Sequence, residues 1–220
     1  MTMHASPDLT LHITNLSQQA VNDLSPSFNA LPETEHADGK YRLRRYSVVK
    51  FGDNGLEHLA GHQFVQSEEV NHFQGDVLRQ FEAIEEPIIQ SKGMLEMCKL
   101  FKQASQLSSQ QTIEIHQMRV TAIYEETKVS PEGVHQDGFD HVAVVGIDRH
   151  NITGGDFMIY NNRDEDPFLR KVLNSGEFAL INDNVLWHNA KPISAVKPTE
   201  QGHMDVFVLT TKETVNELHA

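Results

Sequence analysis

The second half of the chain is a succession of short strand-like segments separated by turn residues. "TIEIHQMRVTAIY", "HVAVVGIDRH", "GGDFMIYNN", "GEFALIND" and "HMDVFVLTT" follow one another, punctuated by Gly, Asn, Asp and Pro. The links between them are too short for helical crossovers, so antiparallel pairing is expected. Many short strands with little helix among them predict a mainly β, α+β chain. The expected architecture is a double-sheet barrel or jelly roll braced by a helix. That helix is expected within "EEPIIQSKGMLEMCKLFKQASQLS", where Met94, Leu95, Met97, Cys98 and Phe101 recur at helical spacing.

Upstream, "YRLRRYSVVKF" alternates as a strand, and residues 62–84 predict a pair of short strands. Residues 1–39 mix short apolar patches with Ser, Pro, Asn and Asp. They are expected to form an N-terminal extension ahead of a domain over 40–220, with a helix near 15–24 capped by Asn15.

Bulk properties exclude several function classes. The formal net charge is −13 over 220 residues, so no basic patch is available for nucleic acid. The first residues lack the basic start and apolar core of a signal peptide, and no apolar run is long enough to span a membrane. A single cysteine, Cys98, allows neither an internal disulfide nor a thiolate zinc site. A cytoplasmic protein is expected on these grounds.

The chemistry-bearing stretch is "PEGVHQDGFD", residues 131–140. His135 and Asp137 stand two positions apart, which in an extended segment puts both side chains on one side. His188, in "LINDNVLWHNAKPI", follows Asp137 by 51 residues and several strands. Two neutral imidazoles and one carboxylate on one face of an octahedron hold Fe(II) and leave positions open for reactants. A lone His-x-Asp is common by chance, so the remote histidine is needed to make the pattern mean a metal site.

From about residue 41 to 212 the chain resembles bacterial 2-oxoglutarate/Fe(II) dioxygenases that hydroxylate free amino acids, the L-isoleucine 4-hydroxylase type. The matching residues are "RLRRYS" (42–47), "LRQF" (78–81), "HQMR" (116–119), "HQD" (135–137), "GGD" (154–156), "WHNAKPI" (187–193) and "GHMDVFVLT" (202–210). The resemblance implies a double-stranded β-helix, Fe(II) on His135, Asp137 and His188, and 2-oxoglutarate and O2 as cosubstrates. It implies an enzyme that converts 2-oxoglutarate to succinate and CO2 while hydroxylating an unactivated carbon of a free aliphatic L-amino acid of the isoleucine, leucine or methionine type.

One position departs from the family pattern. Where the family usually offers an arginine just before Asp on the last core strand, this chain has Met204. An arginine there would hold the distal carboxylate of 2-oxoglutarate through two parallel hydrogen bonds, and methionine cannot. Arg119 is the expected substitute. His203 or Lys191 could reach in instead. Failing all three, 2-oxoglutarate affinity would be lost. That loss would leave room for a cupin-like dioxygenase without 2-oxoglutarate, or a non-catalytic ligand-binding barrel.

An amino-acid substrate needs a cation for its carboxylate and an acceptor for its ammonium. Alternation along "YRLRRYS" puts Arg42 and Arg44 on one face and Arg45 on the other. Arg45, which precedes Tyr46 in the matching stretch, is expected to face inward. Trp187 is read either as a wall of the site or as core. Phe139 and His141 are read as lining its mouth or decorating a turn.

Overall fold

The computed structural model describes residues 10–59, 80–108, 110–123 and 125–211. The pair of short strands expected over 62–84 falls almost wholly outside these residues. A seven-stranded antiparallel sheet dominates the molecule. Its strands are β1 (Leu11–Asn15), β2 (Arg42–Gly52), β3 (Gly55–Leu59), β4 (Ile113–Ala122), β5 (His141–His150), β9 (Glu177–Asn182) and β12 (Gly202–Thr211). Their order across the sheet is β1-β9-β5-β12-β4-β2-β3. Opposite lie β7 (Phe157–Tyr160), β8 (Leu169–Lys171) and β10 (Trp187–Ala190), in the order β10-β7-β8, and a ribbon of β6 (Ile152–Gly154) with β11 (Ile193–Ala195). The two layers form a jelly roll, as the strand count and the short links predict.

The large sheet is covered on both sides, which explains why its central strands are buried almost throughout. The odd-numbered residues Phe207 and Leu209 of β12, with Ile113 and Ile115 of β4, pack against a helical layer. That layer contains α1 (Gln18–Leu24), the short α2 (Glu86–Ile89) and α3 (Lys92–Ser105). Met94, Met97, Cys98 and Phe101 of α3 are fully buried there, and Phe28 meets Phe207 edge-on at 5.0 Å between ring centroids. The even-numbered residues, Met204 and Val206 of β12 with Met118 and Val120 of β4, instead line the barrel interior. A period of two therefore sorts each strand between two apolar environments, the helix side and the barrel side.

Residues 11–30 are built into this core. β1 pairs with β9 over Leu11–Asn15 and extends the sheet by one strand. The helix expected from Asn15 begins later. Ser17 is its N-cap, accepting a hydrogen bond from the Ala20 amide, while Asn15 ends β1. Serine serves better because its hydroxyl meets an unpaired amide of the first turn, and Glu96 of α3 holds that hydroxyl in place at 2.7 Å. Among the described residues no helix is long and apolar enough to cross a membrane.

Candidate active site

The loop before β5 and the start of β10 meet at the mouth of the barrel. His135 and His188 exchange two backbone hydrogen bonds, 3.0 Å from the His135 amide to the His188 carbonyl and 2.9 Å in return. This isolated bridge fixes the two rings 4.4 Å apart between centroids. Asp137 stands between them, with His188 Nε2 at 3.2 Å and His135 Nε2 at 3.5 Å from its two carboxylate oxygens. Each of the three residues offers one ligand atom, and these atoms lie within 4.8 Å of one another. Adjacent ligands on an octahedral ion with bonds of about 2.1 Å are separated by roughly 3 Å. Asp137 already stands near that spacing from each histidine, at 3.2 and 3.5 Å, so the three residues can close on such an ion.

The neighbours of the triad suit metal ligation. His135 Nδ1 donates to the Gly133 carbonyl at 2.8 Å, which leaves Nε2 as the ligating nitrogen. Burial opposes charge on His135, but the hydrogen bond and charge of Asp137, aided by the Gly133 carbonyl, push its pKa up to about 9. Burial, reinforced by the charge on His135, pulls His188 down to about 4, so its imidazole is neutral. Asp183 lies behind His188, its Oδ1 3.7 Å from His188 Nδ1. Both atoms are buried without a hydrogen-bond partner among the described residues, so a small approach would join them. The other Asp183 oxygen accepts from the Gly138 and Phe139 amides at 2.8 and 3.2 Å and fastens the loop that carries Asp137. Burial, then the charge of Asp137, raises the Asp183 carboxyl to about 7.

A pocket runs from this triad into the barrel. Val142, Val144, Phe157, Leu173, Val206 and Val208 form apolar walls, and Arg42, Arg44 and Glu132 add charge to the lining. Arg42 pairs with Asp38 at 2.8 Å. Arg44 lies over the Phe81 ring at 5.1 Å and reaches Met118 Sδ at 3.3 Å.

Several expected site residues stand elsewhere. Arg45 is on the helix-side face of β2, where its guanidinium donates to the carbonyls of Ala83 and Ala30 at 2.9 and 3.2 Å. The inward arginines are Arg42 and Arg44, paired across to Val120 and Met118 of the barrel side. Arg119 also faces the helix side and makes a two-pronged pair with Asp205 at 2.6 and 2.7 Å. That bond, then the Asp205 charge, outweighs burial and raises its pKa further. His203 binds Asp148 at 3.1 Å on that same face. Lys191 is exposed. None of the three lines the pocket. Trp187 and His141 are not among the lining residues either, and the Arg163 guanidinium lies 6.0 Å from the Trp187 ring centroid. Phe139 and Met204 do line the pocket. Glu132 and Asp183 carry no pattern that marks them in the sequence, although Glu132 stands three residues before His135.

The fold and the triad together define a mononuclear non-haem iron oxygenase site. The family model described as 2OG-Fe dioxygenase matches residues 25–210, and the chain belongs to that family. Members use Fe(II), 2-oxoglutarate and O2, and so does this chain. Solved structures share its fold. A bsmA homolog from Methylobium petroleophilum PM1 superposes with a TM-score of 0.79 at 23% identity, covering 93% of this chain and 89% of its own. IDO from Bacillus thuringiensis gives 0.77 at 16% identity, covering 94% and 95%. TqaL, described as an Fe(II)/(alpha)ketoglutarate-dependent dioxygenase, gives 0.69 at 13% identity, covering 94% and 84%. A search of curated proteins finds no match.

Proposed function

We propose that this dioxygenase hydroxylates an unactivated carbon of a free aliphatic L-amino acid, with His135, Asp137 and His188 holding Fe(II). The observation that carries the reading is the make-up of the pocket. Two arginines and a glutamate share a largely apolar cavity with the triad, beside the polar side chains of His116, Ser130, Asn189 and Thr210. Arg42 or Arg44 suits the substrate carboxylate, Glu132 suits its ammonium, and the valine and phenylalanine walls suit an aliphatic side chain. The sequence resemblance to amino-acid hydroxylases supports the same choice. The single thiol, Cys98, is fully buried and its pKa is raised by burial, which is compatible with a reducing cytoplasm.

With Fe(II) and both cosubstrates bound, one oxygen atom of O2 goes to succinate and the other to the substrate carbon, with CO2 released. The protein contributes position and dryness. Asp183 and Gly133 orient the two imidazoles, Arg44 fixes the substrate's polar end, and the apolar walls keep water from the target carbon.

The test is a panel of free L-amino acids incubated with Fe(II), 2-oxoglutarate and O2. An aliphatic member is expected to gain the mass of one oxygen in step with succinate. Arg44→Met should then raise KM for that amino acid by about tenfold or more, with smaller effect on succinate formed without it. Turnover confined to substrates lacking an α-carboxylate would contradict the proposal.

A further inference from the structure

Met204 leaves the expected arginine position on β12 without a cation, yet a guanidinium stands directly behind the pocket wall at that point, against the lining residue Gly155. The residue directly opposite Met204 on the neighbouring strand is Arg149 of β5. Residues paired across strands project to the same side of the sheet, and Met204 projects into the barrel. The register between β12 and β5 shifts between Asp205 and Val206. Val208 lies opposite Val144, yet Met204 lies opposite Arg149, an odd number of residues further along β5. Strict alternation from Val144 would have turned Asp148 inward and Arg149 outward. The bulge exchanges them.

The surroundings of the guanidinium are unusual for an arginine. Nη2 donates to the Gly154 carbonyl at 2.6 Å, which holds the group in place. Nη1 is buried and has no hydrogen-bond partner among the described residues. Gly155, a pocket-lining residue, is what gives it room. A Cβ there would lie 2.9 Å from Arg149 Nη1 and 3.1 Å from Met204 Sδ. The bare face of Gly155 is therefore all that stands between the open edge of the guanidinium and the cavity that Gly155 and Met204 line. Burial lowers the pKa of Arg149, only partly offset by the charge of Asp156, so the site is short of anion. A buried cation with an unused donor is costly until a carboxylate or phosphate meets it.

We propose that Arg149 grips the distal carboxylate of 2-oxoglutarate, taking from β5 the role that Met204 cannot perform from β12. The assignment rests on the reading that the triad, which lines the same pocket as Gly155, holds Fe(II). A 2-oxo dicarboxylate with its 2-oxo acid end at the triad would turn its second carboxylate towards Gly155. Arg42 is a poorer candidate because Asp38 already neutralises it. Arg119 lies on the opposite face of the sheet.

The experiment measures binding without turnover. Fe(II)-loaded protein is titrated anaerobically by calorimetry with 2-oxoglutarate and with 2-oxovalerate, which has the same five carbons but no distal carboxylate. Wild-type protein should prefer 2-oxoglutarate by about 100-fold, the value of a charged hydrogen-bonded contact. Arg149→Met should remove that preference while leaving 2-oxovalerate affinity within a few-fold. A merely structural arginine would lower both ligands together, and that result overturns the assignment. The exchange R149M/M204R should return much of the preference. Should the methionine variant not fold, Arg149→Gln carries the same comparison with a polar but uncharged side chain. An Arg149 variant with the wild-type preference overturns the assignment alone. A wild-type protein that holds Fe(II) but binds neither oxo acid overturns the cosubstrate reading and this assignment with it.

Discussion

The two faces of β4 and β12 are built from the same strands and one residue apart, yet they hold charge in opposite ways. On the helix side, Arg119 and Asp205 satisfy each other with two short hydrogen bonds, and His203 is occupied with Asp148. On the barrel side, Met118, Met204 and the valines present little polarity of their own, and the cations that border them come from flanking strands. Arg149 is the extreme case, with a buried nitrogen that has no partner among the described residues. Charge that is neutralised internally stabilises the fold. Charge held ready beside a cavity suits a ligand that brings the missing sign. The difference separates an arginine whose charge is already met from one with an unused buried donor, although both sit on strands flanking the same methionine.

The comparison breaks most severely at the metal. His188→Ala should weaken Fe(II) binding by more than about a hundredfold, measured by equilibrium dialysis against a metal buffer. Wild-type affinity in that variant would deny that the barrel side is a metal site. Asp183→Ala removes the acceptor behind His188 and the clamp on the Gly138 and Phe139 amides. Its expected loss is roughly tenfold to a hundredfold in Fe(II) affinity, with the fold retained by circular dichroism.

Proton linkage sharpens the same point. His135, with its pKa at about 9, carries a proton at neutral pH in the metal-free protein, and ligation requires that proton to leave. Fe(II) affinity should therefore rise with pH through neutrality and level off above about 9, by up to about tenfold per pH unit. His188, near 4, is already neutral across that range and contributes nothing to the slope. Competition calorimetry at several pH values reads this out, and an affinity independent of pH between about 6.5 and 8.5 would contradict it.

On the helix side the expected effects change kind. Arg119→Met strands the buried Asp205 carboxylate and should cost about 3 kcal/mol of stability in urea unfolding. Its 2-oxoglutarate affinity should stay at the wild-type value. Arg45→Met removes two hydrogen bonds to the Ala83 and Ala30 carbonyls and ion pairs with the exposed Glu82 and Glu85, and should cost about 1–2 kcal/mol, with no change in substrate KM.

The pattern of what the sequence reveals follows from the same two-sided burial. Strands β4, β5, β9 and β12 are legible because β-branched residues run between turn signals. His135, Asp137 and His188 are legible because a short spacing and a distant histidine must meet at strand ends. What alternation cannot decide is which of the two faces looks into the barrel when both are apolar. Arg45 and Arg119 each stand one position from the inward residues, Arg44 and Met118. Arg149 is hidden twice, by that ambiguity and by a bulge that depends on the partner strand. Strand β1 is hidden because its sequence, "LHITN", becomes a strand only when the edge of β9 is present to pair with it.

The most direct test of the account adds 2-oxoglutarate to the Fe(II)-loaded protein without oxygen and records the visible metal-to-ligand charge-transfer absorption. The account predicts a band in the wild-type protein and in Arg119→Met, and none in His188→Ala. A band that vanished with Arg119 yet survived the loss of His188 would place the reactive centre on the other side of the sheet.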